Sequence, residues 1–322
     1  QCEQELSASD EWVTAETCAN VGAQLARWGT LMLGFVGGND PFLHPDLPGV
    51  VAAVGDAHLV GVTSAGWGVT AARARAVWEA GLLEAAVQLY SADPAAHDAL
   101  AGAPGAHARA LRALEMLKDA RTAGHQRVNI SYTLDATGTA GVDGVLAVAE
   151  ARDVSVMVEA PTTPALAVGG VSRGLIERKR KRGSRLRNSA AYLGRIDEAL
   201  RGGIDGCKAG RRSVHIDYRG RLARCGPFSG RGSPLGDLCA EDSRAVLARV
   251  RRAAPDGCRD CWRSVRGEIE CLASLRGLWA LSGWLWACRG AVRERAPGWR
   301  LRRGALSGAA RRSALRRRWR GS

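Results

Sequence analysis

The 322-residue chain combines an ordinary hydrophobic content of 46% with a formal charge of +14. This length can bury a large core. No stretch reaches the ~20 apolar residues of a membrane span, and the first residues lack a secretory-signal pattern. The composition therefore predicts a soluble, cytoplasmic protein with no membrane partner.

The positive charge is concentrated in two segments, residues 173–187 and 289–322, and the rest of the chain is mildly acidic. An Arg-rich tail can bind phosphates, but such charge runs are usually solvated surface. We therefore predict a disordered tail, an exposed linker or helix face at 177–187, and no nucleic-acid partner.

Strand-like and helical patterns alternate regularly along the first half of the chain. Strands are predicted at 31–36, 58–63, 83–90, 127–133 and 154–159. Helices are predicted at 14–28, 47–54, 69–79, 106–122 and 142–151. This alternation favours right-handed βαβ units and a parallel sheet, either doubly wound or a barrel. Because the first unit begins with a helix, we expect a further strand before residue 1.

The stretch GGNDPFLHPDL, residues 37–47, directly follows the first predicted strand. In parallel α/β folds, ligands bind where the carboxyl ends of the strands converge. Gly37 and Gly38 allow close approach of a ligand to the backbone, and the carboxylate of Asp40 can accept from a cationic amine. A glycine pair after a strand can also be a simple turn.

Five of the nine cysteines lie between residues 207 and 261. In a chain without a secretion signal, this density indicates a metal site rather than disulfides. The residues from Cys207 to Cys225 are predicted to form a hairpin that brings these two cysteines together, and Cys258 and Cys261 form a CxxC pair. Four thiolates suit zinc or an iron–sulfur cluster, and the spacing does not choose between them.

These motifs, in this order, resemble the radical S-adenosylmethionine (radical SAM) superfamily with a SPASM or shorter twitch-type extension. Gly38-Asn39-Asp40-Pro41 resembles the Gly-Gly-Glu-Pro motif of that family, and residues 87–114 resemble its fourth strand and following helix. The spacing from Cys207 through Gly220 to Cys225 resembles the opening of a SPASM domain. The likeness extends from residue 2 to about residue 276.

The resemblance implies a fold, cofactors and partners. The expected fold is α/β, a partial (β/α)6 TIM-like barrel whose first strand is missing, with a small Cys-rich α+β extension. The expected cofactors are S-adenosylmethionine and two [4Fe–4S] clusters, one radical-generating and one auxiliary. The expected partners are a peptide, protein or small-molecule substrate and an electron donor such as flavodoxin or ferredoxin.

The resemblance also implies site residues. Gly37, Gly38, Asn39 and Asp40 would bind the methionyl amine of S-adenosylmethionine. Gln88, at the end of its strand, would bind the ribose, although it can equally be an ordinary strand-end amide. The expected auxiliary-cluster ligands are Cys207, Cys225, Cys258 and Cys261.

The radical-generating motif of the family, Cys-x3-Cys-x2-Cys, is missing from the sequence. We interpret Cys2 as its third cysteine and expect an N-terminal truncation, so that the chain as printed would not generate the radical. The predicted domains are the barrel (1–170), a basic linker or helix (171–203), the auxiliary-cluster domain (204–276), and a Trp-rich helix with the Arg-rich tail (277–322). The alternatives are a noncatalytic zinc- or iron–sulfur-binding interaction protein and a nucleic-acid binder.

Overall fold

A sheet of five parallel strands lies at the centre of the fold, and its strands are hydrogen-bonded in sequence order. The strands are β1 (Met32–Phe35), β2 (Leu59–Ser64), β3 (Glu84–Gln88), β4 (Arg127–Thr133) and β5 (Ser155–Glu159). All five coincide with predicted strands to within a few residues. The prediction of an α/β chain with a parallel sheet is confirmed.

The computed structural model of the chain describes residues 11–37, 39–135, 137–161, 169–201, 203–226, 234–252 and 261–272. Cys2, Gly38, Cys258 and the predicted Trp-rich and Arg-rich segments, residues 277–322, lie outside the described residues.

Five helices coincide with the predicted ones to within a few residues, and a further helix lies between β3 and the fourth of them. In chain order, the first five helices are α1 (Ala15–Arg27), α2 (Leu47–Gly55), α3 (Ala71–Glu79), α4 (Pro94–Ala101) and α5 (Ala106–Asp119). The later ones are α6 (Thr139–Ala151), α7 (Val171–Arg180), α8 (Ala190–Leu193), α9 (Ile196–Leu200), α10 (Ser243–Arg252) and α11 (Ser264–Leu272). Side chains of Thr14, Asp46 and Thr70 accept from backbone N–H groups at the starts of α1, α2 and α3, which stabilises these ends. No helix in the described ranges is long and apolar enough to cross a membrane.

Alternate side chains of each strand point to opposite faces of the sheet. In one set, Val62, Val87, Ile130 and Val158 are at most 3% exposed and belong to the hydrophobic core that the helices complete. The other set forms what we call the inner face. It carries Gly61, Glu84, Gln88, Asn129, Ser131 and Thr133. The inner face is therefore polar, whereas the helix-covered face is apolar.

Residues 185–187 lie beside β5. The Val156 N–H donates to the Arg185 carbonyl at 2.8 Å, and the Arg187 N–H donates to the Val156 carbonyl at 2.9 Å. Leu186 forms a parallel bridge with Val156 and is 2% exposed. The prediction of an exposed linker or helix face at 177–187 is therefore wrong for residues 185–187, because Leu186 packs into the core and its neighbours hydrogen-bond to the sheet.

The predicted hairpin between Cys207 and Cys225 is present. Its strands are β6 (His215–Ile216) and β7 (Arg221–Ala223), and β8 (Gly236–Asp237) pairs antiparallel with β7. This small sheet packs on α1 and α10 in a second apolar cluster, formed by Val21, Leu25, Leu222, Leu238, Val246 and Val250. Gln24 of α1 also donates from Nε2 to the Leu238 carbonyl at 2.5 Å. The Cys-rich segment is thus joined to the first helix.

Candidate functional site

The loop after β1 begins at the carboxyl edge of the sheet and contains the predicted ligand-binding residues. Gly37 and Asn39 are exposed there. A Cβ atom added at Gly37 would lie 2.2 Å from the Asn39 carbonyl oxygen. The fold of this loop therefore requires glycine at position 37.

Asp40 connects this loop to the loop after β2. Its Oδ1 accepts from the Phe42 N–H at 3.0 Å, which begins the 3₁₀ helix Pro41–Leu43. Its Oδ2 accepts from the N–H groups of Ala65, at 2.7 Å, and Trp67, at 3.0 Å. The Ser64 hydroxyl lies 2.8 Å from each of the two oxygens. The carboxylate thus orders two adjacent loops.

Burial raises the pKa of Asp40, and the hydrogen bonds from Phe42, Ser64 and Ala65 oppose that shift. A carboxylate offers about four lone-pair sites, and four groups of the protein already donate to this one. The structure thus describes a loop-ordering role for Asp40, and amine binding by its side chain stays a prediction.

The two loops also contact each other through their backbones. Gly68 has a φ of +68°, and a Cβ atom at this position would lie 2.6 Å from the Phe42 carbonyl oxygen. On the other side of this loop, the Arg109 guanidinium lies 3.4 Å from the centre of the Trp67 ring. A cation–π contact at this distance stabilises the exposed tryptophan. Ser64, Trp67 and Arg109 were not predicted from the sequence, although Ser64 directly follows a predicted strand beside the one that precedes Asp40.

Gln88 is the last residue of β3 and lies on the inner face at the same edge of the sheet. Its backbone is in register with Ser131 of β4. The amide Nε2 of Gln88 is buried and has no hydrogen-bond partner within the described part of the chain. A buried donor without an acceptor is costly, so this amide suits a ligand that brings an acceptor oxygen within hydrogen-bond distance of it.

Deeper on the inner face, Arg187 enters from the segment beside β5. Its Nη1 donates to Glu84 Oε2 at 2.8 Å and to Asn129 Oδ1 at 3.1 Å. Asn129 is fully buried, and its Nδ2 has no partner among the described residues. The inner face therefore carries an ion pair towards the amino ends of the strands and an unpartnered amide donor in the middle.

Three of the predicted auxiliary-cluster ligands are described, namely Cys207, Cys225 and Cys261. The side chain of each is half-buried. A Cβ atom added at Gly210 would lie 3.3 Å from the Arg224 side chain, so Gly210, three residues after Cys207, lies close to the residue that precedes Cys225. Within the described ranges, no three Cys, His, Asp or Glu side chains are close enough to hold a metal ion. The donor type fits a thiophilic metal, and the four-cysteine site stays a prediction.

Helix α11, which follows Cys261, is anchored at the carboxyl end of β5. Glu159 ends β5 and accepts from both the N–H, at 2.6 Å, and the hydroxyl of Ser264. Burial raises the pKa of Glu159. Helix α11, directly after Cys261, thus begins at the same edge of the sheet as Asp40 and Gln88.

Two aromatic residues extend this anchor. The Tyr192 hydroxyl donates to the Trp262 carbonyl at 3.1 Å and accepts from the Ala160 N–H at 3.0 Å. The two rings are stacked with their centres 5.7 Å apart.

No protein-family model and no curated protein matches the chain. Solved structures do match. SuiB from Streptococcus suis has a TM-score of 0.58 at 12% identity, over 74% of this chain and 60% of SuiB. SuiB bound to S-adenosylmethionine has a TM-score of 0.57 at 12% identity, over 82% of this chain and 64% of that structure. Histidine-tagged anSMEcpe with bound AdoMet has a TM-score of 0.56 at 12% identity, over 76% of this chain and 74% of its own.

The chain shares the fold of SuiB and anSMEcpe. This likeness, at 12% identity, concerns the fold. The chain spans less than two thirds of the first two SuiB structures. SuiB has also been solved with its precursor peptide SuiA, and that structure matches with a TM-score of 0.58 at 11% identity, over 84% of this chain and 70% of SuiB.

Proposed function

We propose that this chain is part of a radical SAM enzyme that binds S-adenosylmethionine and an auxiliary [4Fe–4S] cluster and modifies a peptide, protein or small-molecule substrate. The observation that carries the proposal is the unpartnered amide of Gln88, which lies at the carboxyl edge of a radical SAM fold. That edge is where ligands bind in parallel α/β folds.

The residues of this edge suit two polar parts of S-adenosylmethionine, the methionyl amine and the ribose. A methionyl amine needs acceptors, and the loop of Gly37, Gly38 and Asn39 offers backbone carbonyl groups. Asp40 keeps this loop in place through its bonds to the loop after β2. The Gln88 amide would donate to a ribose hydroxyl and so find the partner that it lacks.

The chemistry itself would come from the cofactors. A [4Fe–4S] cluster and S-adenosylmethionine together supply a 5′-deoxyadenosyl radical, and the protein contributes binding, orientation and exclusion of water. The first 200 residues contain only two cysteines, Cys2 and Cys18, and Cys18 is buried in the core. With Cys2 as the single candidate ligand, we expect the 322 residues to bind S-adenosylmethionine without cleaving it.

The auxiliary cluster would be held by Cys207, Cys225, Cys258 and Cys261. Thiolates from a hairpin and a CxxC pair can complete such a site. This cluster would lie near the start of α11, which is anchored at the carboxyl end of β5, and there it could bind a substrate or accept an electron. A peptide substrate is favoured by the SuiB structure that contains a precursor peptide, and reduction would need a donor such as flavodoxin or ferredoxin.

Equilibrium binding of S-adenosylmethionine to the full chain, under anaerobic conditions, tests the proposal. We expect Gln88→Ala to weaken binding by about tenfold, the effect of one lost hydrogen bond to a polar ligand. Gln126→Ala is the matched control. Gln126 lies just before β4 at the opposite edge, and its Nε2 already donates to the Trp78 carbonyl at 3.1 Å. Equal affinity of the wild-type chain and Gln88→Ala, or no binding at all, would contradict the proposal.

A noncatalytic zinc protein is the second candidate. It is favoured by the donor set, because four thiolates form closed zinc sites equally well. Metal analysis distinguishes the two candidates, since zinc binds without sulfide.

A further inference from the structure

Arg266, on α11, is a charged residue in the protein interior and is 7% exposed. Its Nη1 donates to the carbonyl oxygen of Cys261 at 2.5 Å. Its Nη2 donates to the carbonyl oxygens of Ile204, at 2.6 Å, and Asp205, at 3.3 Å. One guanidinium therefore joins the backbone just before Cys207 to the backbone of Cys261.

Glu270 holds the other side of the same segment. Its Oε1 lies 3.1 Å from Arg266 Nε and accepts from the Lys208 N–H at 2.8 Å. In the same segment, the Ala209 N–H donates to the Cys207 sulfur at 3.4 Å. The backbone is therefore held both before and after Cys207, and Arg266 and Glu270 do this together.

This ion pair differs from an exposed pair of the same spacing on another helix. Its two side chains are 6% and 13% exposed, whereas Arg173 and Glu177, also spaced i,i+4 on α7, are 86% and 57% exposed. A buried pair is weak evidence for stability, because desolvation offsets the attraction between the charges. The burial of the Arg266–Glu270 pair is better explained by a role in fixing the backbone segments that the two side chains contact. Arginine suits that role because its planar fork donates in several fixed directions.

We propose that Arg266 is a positioning residue that holds Cys207 and Cys261 in the arrangement needed to ligate one metal centre. This inference rests on the proposed function in one respect, the auxiliary cluster at these cysteines. Hydrogen bonds to and around metal ligands orient them, and their loss commonly lowers metal affinity about 10- to 100-fold. Arg266 acts on the backbone of the ligand segments and not on the thiolates.

The test compares Arg266→Gln, Arg266→Lys and the control Arg173→Gln in the full chain after anaerobic cluster reconstitution. We would measure iron and sulfide per folded chain, the resistance of the iron to a chelator, and the electron paramagnetic resonance spectrum of the reduced cluster. We expect Arg266→Gln to lose iron about tenfold faster and to show an altered spectrum. Arg173→Gln should match the wild type. Arg266→Lys should be intermediate, because an ammonium group cannot reproduce the fork.

Wild-type chelator resistance and an unchanged spectrum in Arg266→Gln would overturn the proposal. If Arg266→Gln does not fold, Arg266→Lys and Glu270→Gln are compared in its place, and wild-type behaviour of both overturns it. A wild-type chain that binds zinc without sulfide contradicts the proposed cluster instead. The same variants then report the role of Arg266 through zinc retention.

Discussion

Asp40 shows how one carboxylate connects two loops at the carboxyl edge of the sheet. It accepts from Phe42 in its own loop and from Ser64, Ala65 and Trp67 in the next. Because these donors bond to both oxygens, the NH2 group of an asparagine at this position would face backbone N–H donors in either orientation of its amide.

We predict that Asp40→Asn lowers the free energy of unfolding by about 2 kcal/mol, because backbone N–H donors then face an NH2 group instead of an acceptor. Asp46→Asn is the control. Asp46 caps α2 through a bond to the Gly49 N–H at 2.9 Å, and asparagine caps helices as well as aspartate does. Denaturant unfolding measures both variants, and equal stability of Asp40→Asn and the wild type would show that the carboxylate does not order the loops.

Glu159 makes a prediction about pH. Its pKa is raised by burial, so the folded state holds its proton to a higher pH than the unfolded state does. The corresponding stability is present at low pH and is lost as the pH rises through the folded-state pKa. We therefore expect the wild type to lose stability relative to Glu159→Gln as the pH rises above 4.5, the ordinary pKa of a glutamate. The control Glu177→Gln, at an exposed position, should have the same pH dependence of unfolding free energy as the wild type. If Glu159→Gln also had the wild-type pH dependence in denaturant unfolding, the raised pKa of Glu159 would be refuted.

At the residue scale, Asp40 and Gln88 could be predicted from the sequence, but the residues around them could not. The motif and the strand-end position carry a local signal. The partners Ser64 and Trp67 are separated from Asp40 by more than 20 residues, and Glu159 and Ser264 by more than 100. Contacts at such separations depend on the assembled sheet, and no local sequence pattern predicts them.

At the scale of elements, the five strands could be predicted because apolar, β-rich runs alternate with helical periods. The segment 185–187 could not, since Leu186 is a single apolar residue between two arginines. Its backbone joins the sheet beside β5, and Arg187 reaches Glu84 and Asn129 on the inner face. A basic run usually indicates a solvated surface, and here tertiary contacts overrule that expectation.

The small sheet and α1 form one packing unit, which yields a prediction. Leu222 is fully buried in the cluster with Val21 and Leu25, whereas Leu100 is 52% exposed on α4. We expect Leu222→Ala to lower the free energy of unfolding by about 3 kcal/mol through the cavity that it creates. Leu100→Ala should change it by less than about 0.5 kcal/mol. Equal effects in denaturant unfolding would mean that the small sheet does not pack on α1.

At the scale of the whole molecule, the order of motifs predicted an α/β fold with a parallel sheet, and the chain shares its fold with SuiB and anSMEcpe. The order carries this information because each motif belongs to a defined strand end. The cysteine site is less accessible to such reasoning, because a four-thiolate spacing suits more than one metal.

The inventory of cysteines also predicts what the 322-residue chain does with S-adenosylmethionine. With Cys2 as the one candidate ligand of the radical-generating cluster, reconstituted and reduced chain should release no 5′-deoxyadenosine. Product analysis by chromatography after incubation with S-adenosylmethionine checks this. Repeated turnover would show that the chain binds a radical-generating cluster through other ligands.

The most direct test of the account is the content of iron, acid-labile sulfide and zinc in the full chain after anaerobic reconstitution. An auxiliary cluster at Cys207, Cys225, Cys258 and Cys261 predicts about four iron and four sulfide per chain. Replacing Cys207 with serine should abolish most of both, whereas replacing Cys18, which is buried in the core, should leave them unchanged in the folded fraction. One zinc per chain without sulfide would contradict the proposed radical SAM enzyme with an auxiliary cluster and favour a zinc-binding protein.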